Sequence, residues 1–159
     1  MLQFLEYSKI KYFRCNMTYR VVSLFSGAGG MDVGIERAGF NVVIASELDS
    51  HACNTYRHNH PKVNVIEGDI ENPDIFNAII DNKNIDLVVG GPPCQGFSVA
   101  GKMDKDDPRS KLVFTFCSVV EKLQPKAFIM ENVKSLASLA KFEDVRNEIV
   151  DRMSKAGYQ

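Results

Sequence analysis

Short apolar segments alternate with helix-like segments along this chain, and that alternation restricts the possible folds more than any other feature. Strands that are apolar throughout are typical of a parallel sheet buried on both faces, and the helix between successive strands supplies each crossover. The sequence therefore predicts an α/β fold with a doubly wound, mainly parallel sheet. The predicted strands are 20–25, 41–45, 63–66, 85–89 and 127–130.

Composition fits one folded domain and argues against several other classes. Of the 159 residues, 45% are hydrophobic and 25% charged, as in ordinary globular proteins. The formal net charge of −1 does not by itself indicate a polyanionic partner. No apolar run approaches the roughly 20 residues needed to span a bilayer. The four cysteines include no C-x-x-C pair and no signal peptide is recognisable, so we expect a cytoplasmic chain without a bound metal or a membrane partner.

The strand pattern begins late, at Tyr19, directly after Met17. We therefore expect residues 1–17 to be an N-terminal extension and residues 18–159 to form the folded part. A natural start at Met17 is the alternative, and the mass of the native N-terminus would decide between them.

A glycine-rich turn, Ser26-Gly27-Ala28-Gly29-Gly30, joins the first predicted strand to the first helix. Such a turn allows close approach of the backbone to a ligand, although a plain tight turn is the alternative reading. Glu47 ends the second strand about 20 residues later, where an acid can accept hydrogen bonds from ribose hydroxyls. Asp69 ends the third strand, where a carboxylate could accept from an exocyclic amine. Together these strand ends predict a site for a cofactor that contains a nucleoside.

The fourth strand ends in Gly90-Gly91-Pro92-Pro93-Cys94, in which glycines let the backbone crowd a bound molecule and prolines stiffen the turn. A cysteine held on such a turn is a candidate nucleophile. Cys53 and Cys117 lie in helical patterns and are expected to be small buried hydrophobes. Glu131 ends the fifth strand, adjacent to Cys94. Because a carboxylate raises the pKa of a neighbouring thiol, Glu131 suits a proton donor or a hydrogen-bond partner of the substrate better than a base for Cys94.

Six segments together resemble the successive motifs of the cytosine-C5 DNA methyltransferases, in their order and at familiar spacing. The resemblance covers roughly residues 19–140, and the Pro-Pro-Cys-Gln segment followed by Glu-Asn-Val is its most specific part. Ser23 stands where the first motif of that family often has Asp. The segments are Leu24-Phe25-Ser26-Gly27-Ala28-Gly29-Gly30, Glu47-Leu48-Asp49, Gly68-Asp69-Ile70, Gly91-Pro92-Pro93-Cys94-Gln95-Gly96-Phe97-Ser98, Asp107-Pro108-Arg109-Ser110-Lys111-Leu112 and Glu131-Asn132-Val133.

The resemblance implies the Rossmann-like methyltransferase fold and S-adenosylmethionine as methyl donor. By the same resemblance, Glu47 binds the ribose hydroxyls, Leu48 and Ile70 sandwich the adenine, and Asp69 accepts from its amine. The cofactor-binding residues implied in this way are Phe25, Ser26, Gly27, Gly29, Gly30, Glu47, Leu48, Asp69, Ile70, Pro93 and Leu112.

The resemblance also implies covalent catalysis on a cytosine flipped out of duplex DNA. Cys94 adds to C6 of the base and Glu131 binds N3 and the exocyclic amine, which makes C5 nucleophilic enough to accept the methyl group. The implied role is bacterial DNA methylation, within a restriction–modification system, by a protein that associates with the nucleoid when it binds DNA. The implied contacts to the base or the DNA backbone are Gln95, Ser98, Arg109 and Asn132.

In the family the chain continues beyond these motifs with further strands, a Gln/Arg-rich motif, a DNA-reading domain and a late helix. The resemblance therefore implies that residues 18–159 are the N-terminal part of the catalytic domain, cut after about five strands. We expect weak cofactor binding and little methylation by this chain alone, and a complementary C-terminal fragment or subunit as its partner. The alternatives are a non-catalytic cofactor-binding fragment, one subunit of a split enzyme, and an RNA methyltransferase of the same lineage.

Overall fold

A parallel sheet forms the centre of the part of the chain that this computed structural model describes, residues 18–93 and 111–159. Its strands are β1 (Arg20–Leu24), β2 (Asn41–Glu47), β3 (Asn64–Glu67), β4 (Leu87–Gly90) and β5 (Ala127–Met130). Their order across the sheet is β3-β2-β1-β4-β5, and every neighbouring pair is parallel. The predicted α/β class and parallel sheet are confirmed.

Helices follow the strands in turn, as the alternating pattern predicts. They are α1 (Gly30–Arg37), α2 (Ser50–Asn59), α3 (Pro73–Ile80), α4 (Leu112–Leu123), α5 (Lys134–Ser138) and α6 (Glu143–Lys155), with a 3₁₀-helix at Ala140–Phe142. The side chain of Asn72 caps α3 by accepting from the Asp74 N–H, and Pro73 is its first residue. None of the helices in these two described stretches is both long and apolar enough to cross a bilayer.

Both faces of the sheet are covered, which makes the fold doubly wound. On β1, Val22 and Leu24 point into the larger core, which contains side chains of α3, α4 and α6. Val21 belongs to the second core, with Met31 and Ile35 of α1 packed against it. Alternate residues of one buried strand therefore serve two cores, and this explains why the strand sequences carry no polar alternation.

The direction of winding changes between β1 and β4. From β1 the chain first builds outward through β2 to β3, and then returns to add β4 and β5 on the other side. The helices that follow β1 and β4 consequently lie on opposite faces, with α1 in the second core and α4 in the larger one. Ligands bind at such a point in open α/β sheets.

The predicted ends of the strands shift by one or two residues, and strand pairing explains the shifts. The first strand stops at Leu24 because Phe25 adopts a left-handed backbone conformation, with φ of 53°. The second runs on to Glu47 because that residue still pairs with Glu67 of β3. The fourth ends at Gly90, opposite Leu24.

Gly90 has a role inside the sheet at the end of β4. A Cβ at this position would collide with the carbonyl oxygen of Leu24 in the neighbouring strand. This glycine therefore permits a close approach between two strands, and the predicted approach of the glycine backbone to a ligand stays a prediction.

Candidate cofactor and active site

A cavity of about 220 Å³ lies at the carboxyl edge of the sheet, where the strand order reverses. It brings together residues that follow β1, β2, β3 and β4. Predicted cofactor residues among its walls are Phe25, Glu47, Leu48, Asp69, Ile70, Pro93 and Leu112. Ser46, Gly68 and Gly91 also contribute to the walls.

The predicted turn residues Ser26, Gly27, Gly29 and Gly30 adjoin this cavity without forming its walls. The turn is tightened by a hydrogen bond from the Gly29 N–H to the Ser26 carbonyl, at 3.0 Å. Gly27 and Gly29 have φ of 55° and 94°, values that glycine adopts without the cost a side chain would add. Phe25 has a side chain and still adopts φ of 53°, at a cost of about 1–2 kcal/mol. Strain of this kind is common at ligand sites.

Glu47 is held in place by backbone groups. Its Oε2 accepts the Gly27 N–H at 2.8 Å, and its Oε1 accepts the N–H groups of Leu48 and Asp49, each at 2.9 Å. An ionised carboxylate offers about four acceptor positions, so one remains for a ligand hydroxyl. The bond to Gly27 also ties the glycine turn to the end of β2.

The wall beyond β3 combines an acid with an apolar side chain. The Gly68 N–H donates to the Glu47 carbonyl at 2.9 Å, which aligns the two strand ends. Asp69 Oδ1 accepts the Glu71 N–H at 2.9 Å. Ile70 is buried, whereas Leu48, on the wall that follows β2, is 68% exposed. The cavity therefore offers two apolar side chains and two hydrogen-bond acceptors, a combination that suits a nucleoside.

The ends of β4 and β5 are tied together by hydrogen bonds at the carboxyl edge of the sheet. The Glu131 N–H donates to the Gly90 carbonyl at 2.9 Å, and a Cβ on Gly91 would lie 3.1 Å from Glu131 Oε2. The Asn132 amide donates to the Pro92 carbonyl at 3.1 Å and accepts the Val133 N–H at 2.9 Å. Asn132 thus braces the turn that leads to residue 94, and its predicted contact with the substrate stays a prediction.

Several predicted residues of the active site lie outside the described residues. They are Cys94, Gln95, Ser98 and Arg109. The two described cysteines, Cys53 and Cys117, are buried in α2 and α4, as expected. Burial raises the pKa of both thiols, that of Cys117 to about 11, so neither suits a nucleophile at neutral pH.

Sequence reasoning missed a buried polar cluster behind the glycine turn. Asp32 of α1 and His60, which directly follows α2, are both buried, although polar residues at such positions read as solvent-facing. The sequence carries a weak signal for them, because Asp32 is the second residue after the turn and His60 directly precedes Pro61.

Comparison with known proteins places the chain among methyltransferases. The family model for C-5 cytosine-specific DNA methylase matches residues 19–159. Over 130 residues the chain is 50% identical to the Type II methyltransferase M.AquIA of Picosynechococcus sp., covering 79% of this chain and 52% of that protein. It is 39% identical to the Type II methyltransferase M1.HphI of Haemophilus parahaemolyticus, covering 100% of this chain and 44% of that protein. The chain thus spans about half the length of these relatives.

Comparison with solved structures leads to the same group of proteins. A prophage-encoded Escherichia coli protein assigned as a DNA modification methyltransferase superimposes with a TM-score of 0.73 at 38% identity, over 87% of this chain and 38% of that one. Spodoptera frugiperda DNMT2 superimposes with a TM-score of 0.62 at 27% identity, over 87% of this chain and 41% of that one. The sheet order, the cavity and these matches lead to one conclusion: the chain belongs to the C-5 cytosine-specific DNA methylase family.

Proposed function

We propose that this chain carries the cofactor-binding and catalytic half of a DNA (cytosine-5)-methyltransferase, with S-adenosylmethionine as methyl donor. The observation that carries the proposal is the cavity at the reversal of strand order, which collects the Glu47 and Asp69 carboxylates between apolar walls. The Type II methyltransferases among its relatives support a role in restriction–modification. We propose the cytoplasm as its place of action, on the nucleoid when it binds DNA.

The residues present fit the donor molecule. The acceptor position left on Glu47 suits a ribose hydroxyl, and Asp69 suits the exocyclic amine of adenine. Leu48 and Ile70 offer apolar surface for the adenine ring. The donor supplies an electrophilic methyl group, and in this proposal the chain's residues bind it, orient it and exclude water.

In this proposal, Cys94, which follows β4, and Glu131, which follows β5, activate the cytosine. The Cys94 thiolate adds to C6 of the flipped base, while Glu131 donates to N3 and accepts from the exocyclic amine. After C5 has taken the methyl group, loss of the C5 proton and elimination of Cys94 from C6 restore the aromatic ring. The short approach between Gly91 and Glu131 Oε2 supports the proposal, because it places the carboxyl group beside the backbone that leads to Cys94. Asn132 holds the same turn through the Pro92 carbonyl.

We also propose that a complementary C-terminal half joins this chain at β5. In the part of the chain that the structure describes, β5 pairs with β4 alone, and its Ile129 side chain is 49% exposed. An unpaired strand edge with exposed apolar residues is a template for pairing with another strand.

Glu47→Gln tests the proposed cofactor site. The substitution keeps the shape of the side chain and removes the charge that receives hydroxyl donors, so we expect the dissociation constant for S-adenosylhomocysteine to rise at least tenfold. Isothermal titration calorimetry or NMR titration of the 159-residue chain measures it.

Glu67→Gln is the matched control, because Glu67 ends the neighbouring strand β3 and pairs on the surface with Arg57, at 2.8 Å. We expect this control to bind like the wild type. Equal affinity of the Glu47→Gln variant and the wild type, or no binding by the wild type at millimolar ligand, would contradict the proposal.

A further inference from the structure

A buried polar cluster lies behind the glycine turn, on the side of α1 and α2. Its centre is Asp32, which is fully buried and accepts the Ser23 hydroxyl at 2.8 Å and the Tyr56 hydroxyl at 2.6 Å. His60 and Glu36 extend the cluster, and these five residues are called the buried polar cluster below. Burial raises the pKa of Asp32 above its ordinary value, and the two hydroxyl donors oppose that rise. The cluster joins β1, α1 and α2 through side chains alone.

The imidazole of His60 is fixed from two directions. Its Nδ1 lies 3.0 Å from Glu36 Oε2, and its ring packs on that of Tyr56 with the centroids 4.5 Å apart. Because a carboxylate accepts but does not donate, Nδ1 carries a hydrogen and donates it to Glu36. The His60 side chain is only 3% exposed, and its Nε2 has no hydrogen-bond partner among the described residues.

The unpartnered edge of that ring faces Gly29. A Cβ on Gly29 would lie 2.6 Å from His60 Nε2 and 2.9 Å from its Cδ2, with Tyr56 Cε2 at 3.1 Å. The ring therefore fills the space in which a side chain of residue 29 would stand. Gly29 is also the N-cap of α1, and its carbonyl accepts the Val33 N–H at 3.1 Å. The imidazole thus supports the turn from behind, and it is not part of the cavity wall.

We propose that His60 is a positioning residue for cofactor binding. Held by Glu36 and Tyr56, its imidazole ring packs against Gly29 and keeps the turn in the conformation in which the Gly27 N–H meets Glu47. A shift of Gly29 would move Gly27, and with it the carboxylate that receives the ribose in the proposed function. This inference rests on that function but places a determinant of affinity outside the cavity.

A positioning role for His60 and a role in simple core packing lead to different experimental expectations. A residue that only fills a core is replaced with a loss of stability, whereas a positioning residue also changes the behaviour of the turn while the chain remains folded. A ring nitrogen buried without a partner is costly, and a phenyl ring of similar size avoids that cost. We therefore expect the ring's volume against Gly29 to be the part that matters for binding.

The test compares His60→Ala and His60→Phe in the 159-residue chain, under conditions in which urea titration shows each variant to be folded. We expect His60→Ala to raise the dissociation constant for S-adenosylhomocysteine at least fivefold, and His60→Phe to raise it less than twofold. His58→Ala, an exposed position on the same helix, is the control and is expected to bind like the wild type.

Amide hydrogen exchange tests the same inference without a ligand. We expect His60→Ala to speed exchange at the amides of Gly29 and Val33 at least tenfold, and to leave that of Val22 in β1 unchanged. If the wild type fails to bind S-adenosylhomocysteine, the proposed function is wrong, and the exchange result still decides the role of His60. A folded His60→Ala variant with wild-type affinity and wild-type exchange at Gly29 and Val33 would overturn the inference.

A double substitution adds a second criterion. Gly29→Ala introduces a methyl group that collides with His60, so we expect it to weaken binding. In the His60→Ala background that collision is absent, and the same substitution should weaken binding less. Additive effects at the two positions would contradict the proposed contact.

Glu36→Ala keeps the inference testable if His60→Ala does not fold. Glu36 is 41% exposed, so its removal is tolerated, and it leaves the imidazole without its Nδ1 partner. We expect faster exchange at Gly29 and at least a twofold rise in the dissociation constant, because a polar ring without its partner can turn towards water, whereas an apolar phenyl ring stays buried against Gly29. No change in either quantity would count against the proposal.

Discussion

At the scale of the residue, Gly90 shows how one position fixes the spacing of the sheet at its ligand-binding edge. The carbonyl oxygen of Leu24 occupies the space where a side chain of residue 90 would begin. Both residues lie in the central strands β1 and β4, which are buried on both faces, so neither backbone has room to retreat. A methyl group at this point must separate the strands.

Gly90→Ala is therefore expected to lower the free energy of unfolding by about 1–3 kcal/mol, as overpacking does in other cores. Urea titration followed by circular dichroism measures the change. Gly34→Ala is the matched control, because Gly34 lies within α1 with no atom within 4 Å of an added Cβ. Alanine favours a helix over glycine, so this control should gain roughly 0.5–1 kcal/mol. Equal stability of the Gly90→Ala variant and the wild type would disprove the close approach.

Residue-level prediction from the sequence succeeded where a residue type at a strand end has one evident use. Glu47, Asp69 and Ile70 lie together in the cavity because the carboxyl ends of parallel strands share one edge. His60 and Asp32 could not be predicted, because their burial depends on how α1 packs against α2. A polar residue on a helix reads as exposed until its partner across the interface is known. The catalytic and binding roles themselves stay predictions.

At the scale of the element, a bidentate ion pair joins α4 to α6. The Arg152 guanidinium donates to both carboxylate oxygens of Glu121, at 2.8 and 2.7 Å, and to the Ser118 hydroxyl at 3.0 Å. Hydrogen bonding to Arg152 holds the pKa of Glu121 below its ordinary value of 4.5. The two helices lie on one face of the sheet, so this pair helps to hold the last helix in place.

The sign of the resulting pH dependence follows from the lowered pKa. A carboxyl group whose pKa is lower in the folded chain stabilises the fold above pH 4.5, and the contribution is lost as the pH falls below that value. We expect Glu121→Gln to remove about 1 kcal/mol or less at pH 7 and to show no such deficit at low pH. Urea titrations of both proteins between pH 7 and pH 3 measure this.

The control for that series is Asp151→Asn, also on α6, which removes an exposed pair with Lys155. This change should alter stability by only a few tenths of a kcal/mol at any pH. A constant difference between the Glu121→Gln variant and the wild type across the pH range would contradict the assigned role of Arg152.

Element prediction was most accurate where one periodic signal extends over a whole segment. Apolar residues recur at helical spacing between Leu112 and Leu123, which form α4, and Asn72 followed by Pro73 is a helix-start signal that stands at the beginning of α3. The short α5 was not predicted, because five residues are too few to establish a helical period. Strand ends shifted because hydrogen bonding to the neighbouring strand sets them, and a single sequence does not display its neighbours.

At the scale of the molecule, helices cover both faces of the described sheet, and β5 is one of its two edge strands. The net charge of −1 offers little of the cationic surface that dominates DNA affinity. The proposed division of labour follows from both features: this chain binds the donor and holds Cys94, and the complementary half supplies DNA contacts. The expected boundary between an extension at 1–17 and a folded part at 18–159 stays a prediction.

The 159-residue chain alone is expected to transfer little tritium from labelled S-adenosylmethionine to duplex DNA. Adding the C-terminal half of one of the relatives should raise transfer to DNA, with none to transfer RNA, and should give a covalent adduct on 5-fluorocytosine DNA that Cys94→Ser abolishes. Robust methylation by the chain alone, or an adduct undiminished in Cys94→Ser, would contradict the proposal.

Ile129→Lys tests where the two halves meet. A charge on the exposed edge strand β5 should block complementation while the chain itself stays folded. Val150→Lys is the control, because Val150 is 63% exposed on α6. Complementation that survives Ile129→Lys as well as it survives Val150→Lys would place the junction elsewhere.

The three backbone hydrogen bonds to the Glu47 carboxylate affect the free energy of ligand binding. Three N–H groups orient its carboxylate within the folded chain, so the acceptor is in place before any ligand arrives. Immobilising a long side chain during association costs about 0.5–1.5 kcal/mol, and here that cost falls on folding instead. In the proposed function, the acid at the end of β2 is thus an acceptor that is already oriented when a ligand with a diol arrives.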